Sequence, residues 1–380
     1  MVSSWTVICF LPVLTTVCRQ CQPTAVRIHF PDGEVFSAGS WRRRRSVGRV
    51  CTRSPYVSHA RTPADLGHRT IGPIRANRPR RAGRAARMVG MILRPVQDTA
   101  ADAEVVRHIA RAAFAALPDA PPPATEPAAS SVFQLARTRH LTRTDPQGCW
   151  LAELDGEPVG TVLALRREGV WVLALLAVLP RAQGKGVGRL LLERAVAYGR
   201  GCLRGMLCAS PSPAAVRRYR LAGFTLHPAM RLTGRVDRAG LVDPGDLPVH
   251  PGNPTHRHLL DSVDRRLRGA AHGPDHELLL AHCEELLVAD TLAGSGYCYR
   301  EGGEVRLLAA TSKRIATRLL REALARVPDG VEARVEALTA EQEWALDVGL
   351  EVGLSVETRG YLGLRGMRPP APYVPDGGLL

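Results

Sequence analysis

The sequence lacks the features of several common protein classes. No apolar run approaches the ~18 residues needed to cross a bilayer, so we expect no membrane span and no membrane partner. Lysine is nearly absent, because 49 of the 51 basic residues are arginine. The hydrophobic content of 45% and the charged content of 23% exclude a wholly disordered chain, a collagen and a coiled coil. With 380 residues, the chain is long enough for two or three domains.

Acidic residues are scarce in the first quarter of the chain. Residues 1–87 hold 16 arginines against three acids, which accounts for most of the net charge of +15. Such a segment is typical of a nucleic-acid-binding arm, of a secretory signal, or of an extension without a role, translated from upstream of the true start at Met88 or Met91. Its arginine clusters at 42–45 and 78–87 contain no aromatic residue, and no charged side chain precedes its apolar stretch. We therefore favour a disordered extension and expect no nucleic-acid partner.

Paired cysteines are also lacking. Cys18 and Cys21 have C-x-x-C spacing, but no second pair stands at zinc-finger distance, and the other seven cysteines are scattered. Because no disulfide framework is present, we expect a reducing, cytoplasmic location.

From Met91 onward, hydrophobic periodicity predicts α/β structure. The predicted elements are a strand at 92–96, a helix capped by Asp98 or Thr99 and running through Val105 to Leu117, a proline-rich loop at 118–129, a helix at 131–142, a hairpin of 149–154 with 158–165, a buried strand at 170–179, and a helix from Val187.

The second half of the chain partly repeats this order. A hairpin at 296–300 and 304–309 precedes a helix through Ile315, a strand at 331–338 and a helix at 340–350. A shift of 128 residues places 312–316 on 184–188, so we predict two copies of one α/β unit. The predicted segments are the extension (1–87), the first unit (91–235), a linker (236–256), the second unit (257–368) and an extended tail (369–380), which is either disordered or packed across a domain.

A glycine-rich turn joins the buried strand to the helix at Val187. Such a turn exposes backbone N–H groups at a helix N-terminus and forms an anion site. The residues fit neither G-x-x-x-x-G-K-[ST], because Leu179 replaces the first glycine, nor G-x-G-x-x-G, because Arg189 replaces the third. They fit Gln183-x-x-Gly186-x-Gly188 directly after the strand.

This turn resembles the coenzyme A pyrophosphate loop of the GNAT N-acetyltransferase superfamily. Tyr219-x-x-x-Gly223-Phe224, about thirty residues later, is similar to a second motif of that superfamily. The resemblance covers residues 91–235 well and 255–368 only in element order. It implies two tandem GNAT-like units, the first intact and the second degenerate, each with a mixed, mostly antiparallel sheet flanked by helices.

The resemblance also implies a site and a reaction. Acetyl-CoA is the expected cosubstrate, and the expected reaction is transfer of its acetyl group to a small-molecule or peptide amine by direct attack in a ternary complex. The Leu176 backbone N–H is the expected donor to the thioester oxygen, and Tyr219 is the expected general acid. The expected coenzyme-binding residues are Leu176, Ala177, Val178, Gln183, Gly184, Lys185, Gly186, Val187, Gly188, Arg189 and Ser212.

Two residues depart from the superfamily pattern. Many relatives carry a Glu near the strand that here spans 171–175 without an acid, so Glu153 on an earlier strand is the candidate base. Ser212 stands where relatives often carry Asn. These departures leave open a second hypothesis, a non-catalytic acyl-CoA-binding sensor, and the arginine-rich segment leaves a third, a nucleic-acid-tethered acetyltransferase.

A histidine pair in the second half has a spacing found in metal sites. His272 and His276 have i, i+4 spacing, but Gly273-Pro274 interrupts the helix that this spacing requires. We therefore expect capping of a helix that begins at Pro274, and no metal. Asp261 and Asp264 belong to a charged helix face, which is either solvated or lines a substrate pocket.

Overall fold

The computed structural model describes residues 90–117, 128–241 and 247–380, with backbone only at 128–129, and the backbone of two short strands near the N-terminus. These strands, β1 (Arg27–His29) and β2 (Val35–Ser37), form an antiparallel pair that the sequence did not predict. The chain divides into two compact units, Met1–Ala76 and Asn77–Leu380. The remaining predictions for the arginine-rich extension, and those for 118–127, lie outside the described residues.

The larger unit contains eight α-helices among its described residues. They are α1 (Ala100–Ala115), α2 (Ala128–Thr144), α3 (Val187–Tyr198), α4 (Pro213–Leu221), α5 (Arg257–Leu267), α6 (Asp275–His282), α7 (Lys313–Ala325) and α8 (Glu343–Glu351). The Thr99 side chain caps α1 by accepting a hydrogen bond from the Asp102 N–H, as one of the two predicted caps.

Thirteen strands form one sheet in this unit. They are β3 (Met91–Pro95), β4 (Trp150–Leu154), β5 (Glu157–Arg167), β6 (Val170–Val178), β7 (Arg204–Ala209), β8 (Thr225–Gly234), β9 (His250–Pro251), β10 (Glu285–Thr291), β11 (Gly294–Glu301), β12 (Glu304–Ala310), β13 (Ala333–Leu338), β14 (Ser355–Arg365) and β15 (Tyr373–Val374).

The strand order shows that the two halves exchange strands. The order is β3-β4-β5-β6-β7-β14-β8-β13-β12-β11-β10-β9, with β15 paired to β12. Strand β14, from the end of the chain, lies between β7 and β8, and β8 in turn lies between β14 and β13. Only the β6–β7 and β12–β13 pairs are parallel. The prediction of a mixed, mostly antiparallel sheet flanked by helices is therefore confirmed, and the sheet is continuous through both halves.

Helices cover both faces of the sheet. On one face, α1 and α2 of the first half and α5 and α6 of the second contribute to a single hydrophobic core. On the other face, α3 and α4 form a core with β5–β7, and α7 and α8 form another with β10–β13. Strand β6 is buried on both faces, as its apolar sequence predicted.

The connection before α7 differs from the predicted 128-residue offset. Strand β12 ends at Ala310, and α7 begins at Lys313 with Ser312 as its N-cap. The equivalent connection in the first half spans residues 179–186. The offset is wrong for this segment, because the second half has no counterpart of the glycine-rich turn and passes from strand to helix almost directly.

The segments predicted as linker and tail pack against the second half. The Arg238 guanidinium donates to the Ala325 and Val327 carbonyls, and β9 adds a short strand beside β10. The tail is buried, with Leu379 and Leu380 in the common core. Of the two alternatives for the tail, packing across the fold is therefore the one observed.

Candidate functional site

The first half contains a gap between β6 and β7. These strands pair in parallel from Val170 opposite Arg204 to Leu173 opposite Leu207, and their pairing then ends although β6 continues to Val178. Ala174 has no partner on β5, so the β5–β6 pair contains a bulge there. The bulge lies directly after the last β6–β7 pair. We call this opening, beside residues 174–178, the β6–β7 gap.

The register of β6 fixes which of its backbone groups face the gap. The Leu179 N–H donates to the Val159 carbonyl on β5 (2.9 Å). Because inward and outward pairs alternate along an antiparallel ladder, the N–H groups of Leu176 and Val178 point away from β5 and into the gap. The Gln183 side chain donates to the outward-facing Val178 carbonyl (3.0 Å). The gap therefore offers two backbone N–H donors. One of them belongs to Leu176, the residue expected to face the thioester oxygen.

The glycine-rich turn lies at the open end of β6. Gly184 (φ 76°) and Gly186 (φ 96°) adopt left-handed backbone conformations, and Gly186 is the N-cap of α3. In the described part of the chain, no acceptor is found for the backbone N–H groups of 184–188. These N–H groups at a helix N-terminus form the expected anion site.

Basic side chains surround this turn. Lys185 and Arg189 are exposed, and Arg189 makes only a loose contact of 3.5 Å with Glu193. Arg218 on α4 was not predicted, yet its Nε would lie 4.0 Å from a Cβ added at Gly188. The Arg217-Arg218 pair hinted at charge there, but the sequence does not show which arginine faces the turn.

Tyr219 lies in the hydrophobic core that β6 shares with α3 and α4. Its side chain is 6% exposed and shares one hydrophobic cluster with Val187 and with Leu176 and Val178 of β6. Burial raises the pKa of Tyr219 to about 12, against a smaller opposing effect of Arg218. The phenol is therefore protonated at neutral pH. Ala177, in contrast, faces the core on the opposite side of the sheet.

The two remaining candidates differ in how they lie relative to the gap. Ser212 is the N-cap of α4, directly before the helix that carries Tyr219, and its side chain makes no capping bond. Glu153 lies on β4, which β5 separates from β6, and accepts a hydrogen bond from Arg94 (2.6 Å). Ser212 therefore lies at the start of the helix that contains Tyr219. Glu153 does not lie at the gap, because β5 separates its strand from β6.

The second half has a similar gap, and the chain itself fills it. Strands β12 and β13 pair only at Glu304 and Val305, and β15 then pairs with β12 at Leu308 and Ala309. Gln342 holds this tail by donating to the Pro370 carbonyl (2.8 Å) and accepting from the Tyr373 N–H (3.0 Å). We call this the β12–β13 gap; the tail occupies it as an added strand.

Two cavities among the described residues lie away from the β6–β7 gap. The larger, of about 510 Å³, is bordered by β9, α6 and β10. Its carboxylates Glu284 and Glu285 are paired with Arg300. This cavity therefore offers no unpaired carboxylate. The β6–β7 gap, with the backbone of β6, is the better candidate for the functional site.

The elements around the β6–β7 gap coincide with a known family. Residues 107–224 match the model of the acetyltransferase (GNAT) family. These residues form a GNAT domain. The match begins within α1, includes β6, the glycine-rich turn and α3, and ends at Phe224, so the predicted resemblance is confirmed for the first half. A comparison with curated protein sequences found no significant match.

A solved structure shares this fold, and two others are reported as more distant likenesses. A proposed acetyltransferase from Pyrococcus horikoshii is 20% identical, with a TM-score of 0.59 over 73% of this chain and 90% of its own. A GCN5-related N-acetyltransferase from Sphaerobacter thermophilus is 17% identical (TM-score 0.47; 74% and 96% covered). A tandem GNAT protein from the clavulanic acid biosynthesis pathway is 14% identical (TM-score 0.47; 73% and 99% covered). The first likeness extends the fold beyond the matched domain.

No helix among the described residues is both long and apolar enough to cross a membrane.

Proposed function

We propose that this chain is an acetyl-CoA-dependent N-acetyltransferase acting on a primary amine of a small molecule or peptide. The single observation that carries the proposal is the β6–β7 gap, with unpaired strand N–H groups at one end and a glycine-rich turn at the other. The GNAT domain supports acyl transfer in general. The five cysteines of the described residues are all free, which supports a cytoplasmic location.

Coenzyme binding follows from the two ends of the gap. The pyrophosphate lies on the N–H groups of 184–188, with Lys185, Arg189 and Arg218 supplying positive charge. The amide-containing pantetheine arm runs along β6 as an added strand and accepts from the outward N–H groups. Gln183 holds the Val178 carbonyl at the junction of the two parts.

The acyl-transfer step uses a fixed donor and a buried acid. The Leu176 N–H donates to the thioester oxygen as negative charge develops there, which is worth a few kcal/mol in a site of low polarity. Tyr219 protonates the departing thiolate, because its raised pKa keeps the phenol protonated. The amine attacks the carbonyl carbon directly in the ternary complex. Ser212 forms a hydrogen bond with the coenzyme and takes no part in the bond changes.

The proton on the incoming amine has no side-chain acceptor within this proposal. Residues 171–178 carry no carboxylate, and Arg94 holds Glu153 two strands away. Water therefore takes the proton in our proposal. The same observation favours the second candidate function, an acyl-CoA-binding sensor without catalysis.

A free-thiol assay separates the two functions. The full chain is incubated with acetyl-CoA and a panel of primary amines, and coenzyme A thiol is followed with a chromogenic reagent. The acetyltransferase predicts saturable thiol release that depends on one class of amine. Measurable acetyl-CoA binding with no amine-dependent release identifies the sensor, and the absence of binding contradicts both.

A further inference from the structure

Three side chains from separate positions converge in the second half. Asp264 lies on α5, His272 lies in the turn that follows, and His276 lies in the first turn of α6, all with 0% exposure. The Asp275 N–H donates to the His272 carbonyl (3.3 Å), and the His276 N–H donates to that of Gly273 (3.2 Å). The predicted interruption of the helix is observed, because α6 begins only at Asp275, yet the turn still brings both histidines to Asp264.

The ligating atoms of these residues form a compact triangle. His272 Nδ1 lies 2.7 Å and His276 Nε2 lies 3.1 Å from Asp264 Oδ2, and the three groups lie within 4.8 Å of one another. We propose that Asp264, His272 and His276 bind a divalent transition-metal ion, for which Zn²⁺ is the probe. This zinc site is separate from the β6–β7 gap and independent of the proposed transferase function.

The outer atoms of all three side chains are already oriented. The Tyr299 hydroxyl lies 3.1 Å from His276 Nδ1, and the Tyr373 hydroxyl lies 3.4 Å from His272 Nε2. The Tyr297 hydroxyl bonds to Asp264 Oδ1, the oxygen turned away from the histidines. A hydrogen-bond partner on the outer ring nitrogen fixes the orientation of a metal-bound histidine, and the tyrosine hydroxyls fill this role here.

The ligand set selects the metal. Two imidazoles and one carboxylate suit zinc and its first-row neighbours, whereas Mg²⁺ and Ca²⁺ prefer oxygen ligands. Tetrahedral bonds of 2.0–2.1 Å place ligand atoms about 3.3 Å apart. The His272 distance of 2.7 Å and the His276 distance of 3.1 Å to Asp264 Oδ2 therefore need to lengthen by about 0.6 Å and about 0.2 Å. The fourth position remains for a water molecule or an anion.

One buried cation, Arg268, interacts electrostatically with His272 of this site. Arg268 is 1% exposed, and none of its three guanidinium nitrogens forms a hydrogen bond of normal geometry with a described residue. Its charge opposes that of a dication, so we expect moderate affinity. An anionic fourth ligand, such as hydroxide, would offset that charge and supply an acceptor. Such a site would cross-link α5 to α6 and, through the tyrosines, to β11 and the tail.

The test measures retained zinc on the full chain. Chelator-treated protein is incubated with Zn²⁺ and desalted, and metal is quantified by mass spectrometry. The matched control is His258→Gln, because His258 is exposed on the same α5 helix as Asp264. Wild type and His258→Gln should retain one zinc per chain more than His276→Gln. Zinc held by cysteines such as Cys18 and Cys21 contributes equally to all three proteins, so it cancels in the difference between them.

A milder variant keeps the test valid if His276→Gln does not fold. Tyr299→Phe retains the ring and loses only the hydroxyl beside His276 Nδ1, so zinc affinity measured by chelator competition should fall about 10–100-fold. Zn²⁺, but not Mg²⁺, should raise the wild-type melting temperature. Equal zinc retention by wild type and a folded His276→Gln, or an unchanged affinity in Tyr299→Phe, would overturn the proposal.

Discussion

The glycines of the turn before α3 differ in the side chains they could accept. Gly184 and Gly186 have positive φ angles, so any side chain there strains the backbone. Gly188 has an ordinary backbone, and an added Cβ would meet only Val178 Cγ2 at 3.4 Å and Arg218 Nε at 4.0 Å. Gly188 therefore allows the effect of charge on the anion site to be separated from the effect of strain.

We predict that Gly188→Glu lowers acetyl-CoA affinity at least tenfold, or about 1.4 kcal/mol, while Gly188→Ala changes it little. The carboxylate would sit where the N–H groups of the turn meet phosphate oxygens. Titration calorimetry of both variants provides the measurement, and melting temperatures show whether each is folded. Equal affinities of the two folded variants would remove the turn from the coenzyme site.

A second prediction at this scale concerns Tyr219. Tyr219→Phe should lower turnover by roughly 10²-fold, near the lower end of general-acid contributions, because coenzyme A thiolate leaves readily without full protonation. Acetyl-CoA affinity should change little, since the hydroxyl acts mainly as sulfur departs. The rate constant and melting temperature of the variant are measured together. Normal turnover with a small loss of stability would assign Tyr219 to packing alone.

At the scale of elements, the sequence revealed structure that depends on neighbouring residues. It did not reveal structure that depends on pairing between distant segments. Strand β6, the glycine-rich turn and the Tyr219 motif are continuous in sequence, so periodicity and spacing revealed them. Strands β7, β8 and β14 were not predicted, because each is defined by a partner distant in the chain, such as Tyr361 of β14 opposite Ala209 of β7. The approach of Arg218 to Gly188 depends on how α4 packs, which no local pattern encodes.

The tail strand gives a prediction at the same scale. Gln342→Ala would leave the buried Tyr373 N–H and Pro370 carbonyl without their partner, so the free energy of unfolding should fall by about 2–5 kcal/mol. Acetyl-CoA affinity should not change, because the β6–β7 gap is untouched. Denaturant titration compares this variant with Glu341→Ala, an exposed neighbour expected to stay within about 0.5 kcal/mol. Similar losses in both would show that Gln342 does not hold the tail.

At the scale of the whole molecule, the two halves share a strand order and differ in their gaps. Each half contributes one strand to the middle of the other, as β14 lies beside β7 and β8 lies beside β13. The tail fills the β12–β13 gap, whereas no strand of the described residues fills the β6–β7 gap beside the glycine-rich turn. The missing glycines of the second half predicted a degenerate unit. The structure adds that the tail strand covers the edge of β12 in the β12–β13 gap.

In the proposed transferase, only the β6–β7 gap receives the coenzyme. The most direct measurement is the stoichiometry of acetyl-CoA bound to the full chain, from titration calorimetry with an independently determined protein concentration. We expect one acetyl-CoA per chain for the wild-type protein. Two coenzymes per chain, or none, would contradict it.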